Sequence, residues 1–418
     1  MDKRTDKNRQ TFIGIGLIVF AILLAGWQVI HSTGTSSPQV LLSSLLNPQV
    51  QQLPGMPDDP RILHGNVPTL NWIVGRDCQA GIQAYLQTAA TNPDAALVGS
   101  GWVDPTNGNL IQGKSNNCVQ GSLSMDNVVQ LVHSKGGMAY LTITMLTDGS
   151  TDSWTTQQET EYVTKAANDL HYINPIMQEV KRLNYDGVIM DLEGTNANAP
   201  SIQQLFATYN QEVRAALKPL HKHYGIALIH KLNDHDDYYN VNGFENWQLL
   251  GHAADFIVIM ALDQSYFTPG PAVSVPWLKG LLAYTLQTMP QMLPHIIWEL
   301  PLYGAKWYQG NSKWIFDGGI TYQEALNLIA SIPSSQIDQN TSDLTDATSA
   351  HLTYTDTSGV KHTVWYPTAK NLVNIVTEFR QALEQTPQFK GGQFAVAVWY
   401  TATWQPGGLW SALNPILN

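Results

Sequence analysis

Eight short apolar runs rich in β-branched residues alternate with stretches of helical period along most of this 418-residue chain. That order predicts the α/β class, and within it a (β/α)8 TIM barrel. Length agrees, because barrels of this kind take about 250 or more residues as one unit. A third sign is the run Tyr185–Glu193. As a strand it sends Ile189, Asp191 and Glu193 to one face and Val188, Met190 and Leu192 to the other. An apolar outer face under helices, with carboxylates reaching the C-terminal mouth, is what a barrel strand requires.

Taken from the start, residues 1–10 carry Lys3, Arg4, Lys7 and Arg9, and an apolar run from Phe12 to Ile30 follows, broken only by Gln28. The run is long enough for a helix to cross a bilayer, and no Lys or Arg recurs before Arg61. The expectation is a cytoplasmic basic tail (1–10) and a transmembrane anchor (11–31), with everything after it outside the cell membrane. A cleaved signal peptide is the competing reading and would make the protein secreted, but no clear small-x-small site follows the run. Residues 32–67 turn to Ser, Thr, Gln, Pro and Gly, an extracellular linker with weak helical turns around Val40–Leu46.

The barrel is expected over 68–418. Its strands are Thr69–Val74, Ala96–Val103, Met138–Met145, Tyr185–Glu193, Gly225–Lys231, Asp255–Leu262, His295–Leu302 and Gln393–Tyr400. Apolar residues recur at three and four in Ser201–Leu217 and Ala369–Leu383, as on helices facing a core. The gap between strands seven and eight is too long for one helix. It predicts a small α+β insertion at about 308–367, made of a helix Tyr322–Ala330 and a hairpin pairing Leu352–Tyr354 with Val360–Tyr366 through Thr357-Ser358-Gly359. Tyr354, Trp365 and Tyr366 there either line a groove or, the stronger reading, pack the insertion.

Composition narrows the partners. A net charge of −11 argues against nucleic acid and anionic lipid, both of which reward a basic surface. Cys78 and Cys118 are the only cysteines; they either bridge or stay as thiols, and they lack metal-ligand spacing. Asn233-Asp234-His235-Asp236-Asp237 has the composition of a solvated loop more than of a cation site, and His221-Lys222-His223 suits a helix C-terminus. No metal and no cofactor is expected.

Two carboxylates two residues apart repel, and partial desolvation raises the pKa of at least one. A carboxyl kept protonated near neutrality can act as a general acid. Asp186-Gly187-Val188-Ile189-Met190-Asp191-Leu192-Glu193 resembles the signature of family 18 glycoside hydrolases, Asp-Gly-x-Asp-x-Asp-x-Glu on the fourth barrel strand. Ile189 stands where that family usually has Asp or Asn. The resemblance implies Glu193 as acid and Asp191 as partner of the substrate's 2-acetamido group.

Three more strands carry the likeness. Met260-Ala261-Leu262-Asp263 is similar to the family's Met-x-Tyr-Asp on the sixth strand, with Leu262 in place of the phenol that helps hold the acetamido carbonyl. Glu299-Leu300-Pro301-Leu302-Tyr303-Gly304-Ala305-Lys306-Trp307 resembles Gly-x-Pro-x-Tyr-Gly-x-x-Trp on the seventh and puts Tyr303 at the mouth. Phe394–Trp399 resembles the eighth strand, whose Trp floors the sugar site; a flat indole suits the apolar face of a pyranose. Met260, Asp263, Tyr303 and Trp399 are thus the implied substrate contacts, and the segment 354–366 is most similar to the bacterial spore-germination branch.

The implied activity is hydrolysis of β-linked N-acetylglucosamine polymers, peptidoglycan ahead of chitin, by a substrate-assisted retaining mechanism. Two alternatives stay open. One is a chitinase-like lectin on the same fold, kept alive by Ile189 and Leu262. The other is a conventional nucleophile, which would need a second carboxylate about 5 Å across from Glu193; Asp263 is the only obvious applicant.

Overall fold

The computed structural model describes residues 63, 68–75, 78–111, 125–145, 154–193, 198–236, 242–344, 349–399, 406 and 408–417. The basic tail, the segment 11–31 and nearly all of the expected linker lie outside them. Among the described residues no helix is long and apolar enough to cross a membrane.

In chain order the strands are β1 (Thr69–Val74), β2 (Ala95–Val103), β3 (Leu110–Ile111), β4 (Ala139–Thr144), β5 (Gly187–Asp191), β6 (His223–Ile229), β7 (Phe256–Met260), β8 (Ile296–Pro301), β9 (Tyr303–Gly310), β10 (Lys313–Thr321), β11 (Ala350–Thr355), β12 (Lys361–Tyr366) and β13 (Ala395–Trp399). The helices are α1 (Cys78–Thr88), α2 (Met125–Ser134), α3 (Thr156–Ala166), α4 (Asn174–Leu183), α5 (Pro200–Leu217), α6 (Trp247–Leu250), α7 (Val275–Thr288), α8 (Tyr322–Ser331), α9 (Ala369–Glu384) and α10 (Leu409–Leu417). Parallel pairing runs β1-β2-β4-β5-β6-β7-β8-β13, and β13 pairs back onto β1, so eight strands close a barrel. The expected eight strands are these eight, and the fold is the (β/α)8 barrel.

The two faces of each strand feed two cores. Outward residues such as Val188, Met190, Leu228 and Ile257 pack with Val180, Phe206, Val213, Leu281 and Phe379 of the surrounding helices. Inward residues, among them Leu70, Trp72, Tyr140, Ile189, Val258 and Ala397, fill the barrel. Each large side chain so buried contributes about 1.5–3 kcal/mol. Near the bottom Tyr140 and Phe256 meet edge to face, ring centroids 5.4 Å apart. They require missing side chains beside them. A Cβ on Gly187 would lie 2.7 Å from the Tyr140 ring, and one on Gly225 2.3 Å from Phe256. The Asp186-Gly187 pair is therefore structural: the glycine makes room for Tyr140, and Asp186 accepts from Ala139 N at 2.9 Å and pairs with His133 at 2.8 Å.

Between β8 and β13 stands a four-stranded antiparallel sheet, β10-β9-β12-β11, with α8 on one face. The expected helix and hairpin are both present, as α8 and β11–β12. The insertion begins earlier than expected, because a second hairpin, β9–β10, starts at Tyr303. Its β10 strand exposes every other residue, and its turn uses Asn311 and Ser312 at φ 26° and 74°. Aromatic runs on either side of Gly310-Asn311-Ser312 are a readable hairpin signal, which the sequence reading passed over. Tyr366 is buried in the insertion core, and Tyr354 packs against it while stacking on His362. Trp365 stacks on His351 at 4.3 Å and helps line a groove of about 310 Å³ with Trp314, Thr353, Thr363 and Lys361. Cys78 is buried and disulfide-bonded; Cys118, the only other cysteine, lies outside the described residues.

Candidate active site

Asp191 is the last residue of β5, on the inward face, opposite Thr144 of β4. Its Oδ1 is buried with no hydrogen-bond partner among the described residues, as are the hydroxyls of Thr142 and Thr144 on the neighbouring strand. Glu193 follows two residues later, part-buried at the mouth. Burial pushes the Asp191 carboxyl up to about 7. The same cause raises Glu193 to about 8, and the charges of Asp191, Glu245 and Asp263 add to it. A carboxylic acid is thus held protonated near neutrality beside a second acid whose proton is easier to remove.

The other expected residues arrive at the same end. Met260 closes β7 and packs with the inward core. Asp263 sits just beyond it in a left-handed conformation, φ 61°, and accepts a 2.5 Å hydrogen bond from the Tyr303 hydroxyl. Burial first, and the Asp263 charge second, holds that phenol well above its ordinary range, so it stays a donor. Trp399 closes β13 and meets Trp72 edge-on, centroids 5.8 Å apart. The barrel therefore gathers all six of Asp191, Glu193, Met260, Asp263, Tyr303 and Trp399 at its C-terminal mouth.

Three more buried groups join them. Glu245, in the loop before α6, accepts from Ile229 N at 3.1 Å; burial raises it to about 8 against the opposing pull of Lys231. Lys231 itself is 5% exposed and donates to the carbonyls of Asn242 at 3.2 Å and Glu245 at 2.5 Å. Glu299 lies on the inward face of β8 and is 2% exposed. Its carboxyl is pushed well above the usual range by burial, then by the charges of Asp191, Glu193 and Asp263. Sequence reasoning passed over all three. Glu299 did leave a signal, as the only charge in the apolar run Ile296–Leu302; Glu245 left none, because its loop reads as an ordinary polar turn.

His230 is a core residue: 6% exposed, edge-on to Trp277 at 4.8 Å and lowered to about 4 by burial, it is neutral. The polar loop after β6 is a hydrogen-bonded turn. Asn233 caps His235 N, Asp236 accepts from Leu232 N, and Asp234 takes a 2.6 Å bond from Tyr284; Asp237 lies outside the described residues. Among the described residues no group of three His, Cys, Asp or Glu is placed to hold a metal.

No known protein-family model matches the sequence, and no curated protein matches it. Solved structures do resemble it. A chitinase from Chromobacterium violaceum ATCC 12472 aligns with a TM-score of 0.64 and 19% identity, over 83% of this chain and 98% of that one. The spore cortex-lytic enzyme SleL of Bacillus cereus gives 0.64 and 18%, over 84% and 75%. A chitinase-like agglutinin from Robinia pseudoacacia gives 0.60 and 14%, over 84% and 99%. At such identities the likeness establishes the fold. The class defined by fold and site together is a (β/α)8 barrel whose C-terminal mouth holds a cluster of buried and part-buried carboxyl groups.

Proposed function

We propose that this chain is a glycoside hydrolase acting on β-linked N-acetylglucosamine polymers, peptidoglycan ahead of chitin. The observation that carries the reading is the Asp191–Glu193 pair: two buried-side acids at a barrel mouth, one held protonated to about 8. Glu193 donates its proton to the leaving glycosidic oxygen. The substrate's acetamido oxygen attacks the anomeric carbon, and Asp191 orients the amide and stabilises the charged ring. Glu193 then takes a proton from the incoming water, giving retention without an enzyme nucleophile. Trp399 floors the sugar and Met260 borders it. Tyr303, which donates to Asp263, supplies a phenol at a mouth where Leu262 has none. That engagement of Asp263 also argues against its being a free nucleophile.

Chitinases and a cortex-lytic enzyme among the fold relatives support the substrate class. The residues 1–31 support an exported, membrane-anchored placement of the barrel, read from their basic and apolar segments. A lectin is the second reading, favoured by Ile189, by Leu262 and by the agglutinin among the fold relatives. The deciding measurement is a mass-spectrometric product profile from purified peptidoglycan, from N-acetylglucosamine oligomers and from matched oligomers lacking the 2-acetamido group. Cleavage of the first two and none of the third is expected. Turnover of the third would overturn the substrate-assisted mechanism, and binding without any turnover would hand the fold to the lectin.

A further inference from the structure

The insertion sheet has two unlike faces. Along β12 the alternate residues Val364 and Tyr366 turn to α8 and enter the hydrophobic cluster there with Ile320 and Ala350. Thr363 and Trp365 turn the other way, in register with Thr353 and His351 of β11. On that second face Trp365 and Trp314 of β10 are half-buried, and among the described residues neither belongs to a hydrophobic cluster. Core packing accounts for the first face and not for the two indoles on the second.

The second face forms the groove of about 310 Å³. One of its walls is the loop after β7, which is pinned to the sheet. Trp307 Nε1 donates to the Tyr266 carbonyl at 2.7 Å, the Tyr266 ring stacks on Phe316 at 4.2 Å, and Pro269 of the same loop borders the groove. That loop sets out from Asp263, and β9, which pairs with β12, sets out from Tyr303, the donor to Asp263 at the mouth. The groove is thus built on the two segments that lead outward from the mouth.

Its lining has the chemistry of a sugar site. The Trp365 ring is held by a near-parallel stack on His351, at 12° and 4.3 Å. Thr353 and Thr363 are buried and share a 3.2 Å hydroxyl bond. Lys361 in the lining is paired with Asp338 at 3.7 Å, which leaves little to draw an anionic polymer. Flat, fixed rings set among hydroxyl groups suit a ligand with apolar C–H faces and hydroxyl edges, and that ligand is a chain of pyranoses. From Lys361 to Trp365 the strand runs about 13 Å, longer than a single sugar ring.

We propose that this groove is a second glycan-binding site, in which the Trp314 and Trp365 rings hold further units of the β-linked N-acetylglucosamine chain that is cut at the mouth. The sugar platform follows from the groove itself; that its chain is the one being cut rests on the function proposed above. A chain engaged at one site meets the other at raised effective concentration, so long chains gain over short ones.

Nitrogen-15 NMR of the full-length Glu193→Gln protein tests it directly. The indole N–H signals of Trp314 and Trp365, assigned from Trp314→Phe and Trp365→Phe proteins, should shift when N-acetylglucosamine hexamer is added. Calorimetry supplies a second readout: Trp314→Ala should bind the hexamer about tenfold more weakly, and Trp314→Tyr, which keeps a ring, should recover most of the loss. Ile315→Ala alters the exposed neighbour on the opposite face of β10 and should leave hexamer binding unchanged. Silent indoles at saturating hexamer, a Trp314→Ala protein of undiminished affinity, or indoles that answer only to the stem peptide of peptidoglycan overturn the proposal. A wild type that cleaves no glycan while both indoles shift ends the hydrolase reading and upholds the groove; one that cleaves while both stay silent ends the groove alone.

Discussion

At the N-terminal end of the barrel, Asp94, Asp186 and Asp255 stand just ahead of β2, β5 and β7, and each is hydrogen-bonded to a neighbouring backbone. Asp94 accepts from Met138 N at 2.7 Å, and Asp186 from Ala139 N at 2.9 Å with His133 beside it. Asp255 accepts from Tyr224 N at 3.0 Å and pairs with Arg214 at 2.8 Å. At the C-terminal end burial drives Asp191, Glu193, Glu245 and Glu299 all upward, and Lys231, the buried lysine among the described residues, opposes the rise at Glu245. One set of acids ties strand starts together; the other is held under electrostatic strain at an open rim. A barrel separates stability from chemistry by strand polarity, and here the same residue type is used for each at opposite ends of the same strands. Asp186 and Asp191, at the two ends of β5, show the division within one strand.

The comparison breaks hardest at Glu193. On the proposed mechanism Glu193→Gln removes the proton donor and should cut hydrolysis of an N-acetylglucosamine oligomer by about a thousandfold, while calorimetric binding persists. Loss of binding with loss of rate would mean that the mouth acids hold structure after all. Asp191→Asn keeps the shape but not the charge, and a fall in kcat of about a hundredfold is expected.

At the other end the signs reverse. Asp255→Asn breaks a pair whose side chains are 7% and 17% exposed and weakens the bond to Tyr224 N. Denaturant unfolding should show a loss of about 3 kcal/mol, as for one partner removed from a buried ion pair, with kcat of the folded fraction unchanged. A drop in kcat without loss of stability would sink the division of labour.

Much of this was legible in the chain because the barrel writes its two faces at period two. Ile189 and Asp191 against Val188 and Met190 gave the strand, its inner face and its carboxyl-bearing C-terminal end at once. The other mouth residues, Met260, Asp263, Tyr303 and Trp399, came from the resemblance of their strands to the family 18 pattern. What stayed hidden depended on three-dimensional proximity. Glu245 reaches Asp191 across a loop and a strand, and Lys231 is buried by carbonyls fourteen residues away or fewer, neither of which has a spacing to read. The β9–β10 hairpin was legible and passed over: its strand alternates at period two and its turn is Gly310-Asn311-Ser312 between aromatic runs.

The smallest effect tests the strain at the mouth directly. Asp191, Glu193 and Glu245 have folded-state pKa values of about 7, 8 and 8, above the ordinary carboxyl range near 4 of the unfolded chain. Groups raised in this way favour the folded state while protonated; that contribution is whole below about pH 4 and is lost as pH climbs through 7 to 8. Carboxyls held low, such as Asp104 and Asp126, act oppositely and only at acid pH. Stability should therefore decline from about pH 5 to pH 8.5, and Glu193→Gln, which cannot ionise, should be spared part of the decline. Its Tm should match the wild type at pH 5 and exceed it by about 2 °C or more at pH 8.5. On the proposed mechanism the rate has the matching limb: kcat/KM of the wild type should fall above about pH 8 as Glu193 loses its proton. A Tm difference that is flat with pH, or that reverses, would show Glu193 to be well solvated and the contrast between the two ends of the barrel to be one of position only.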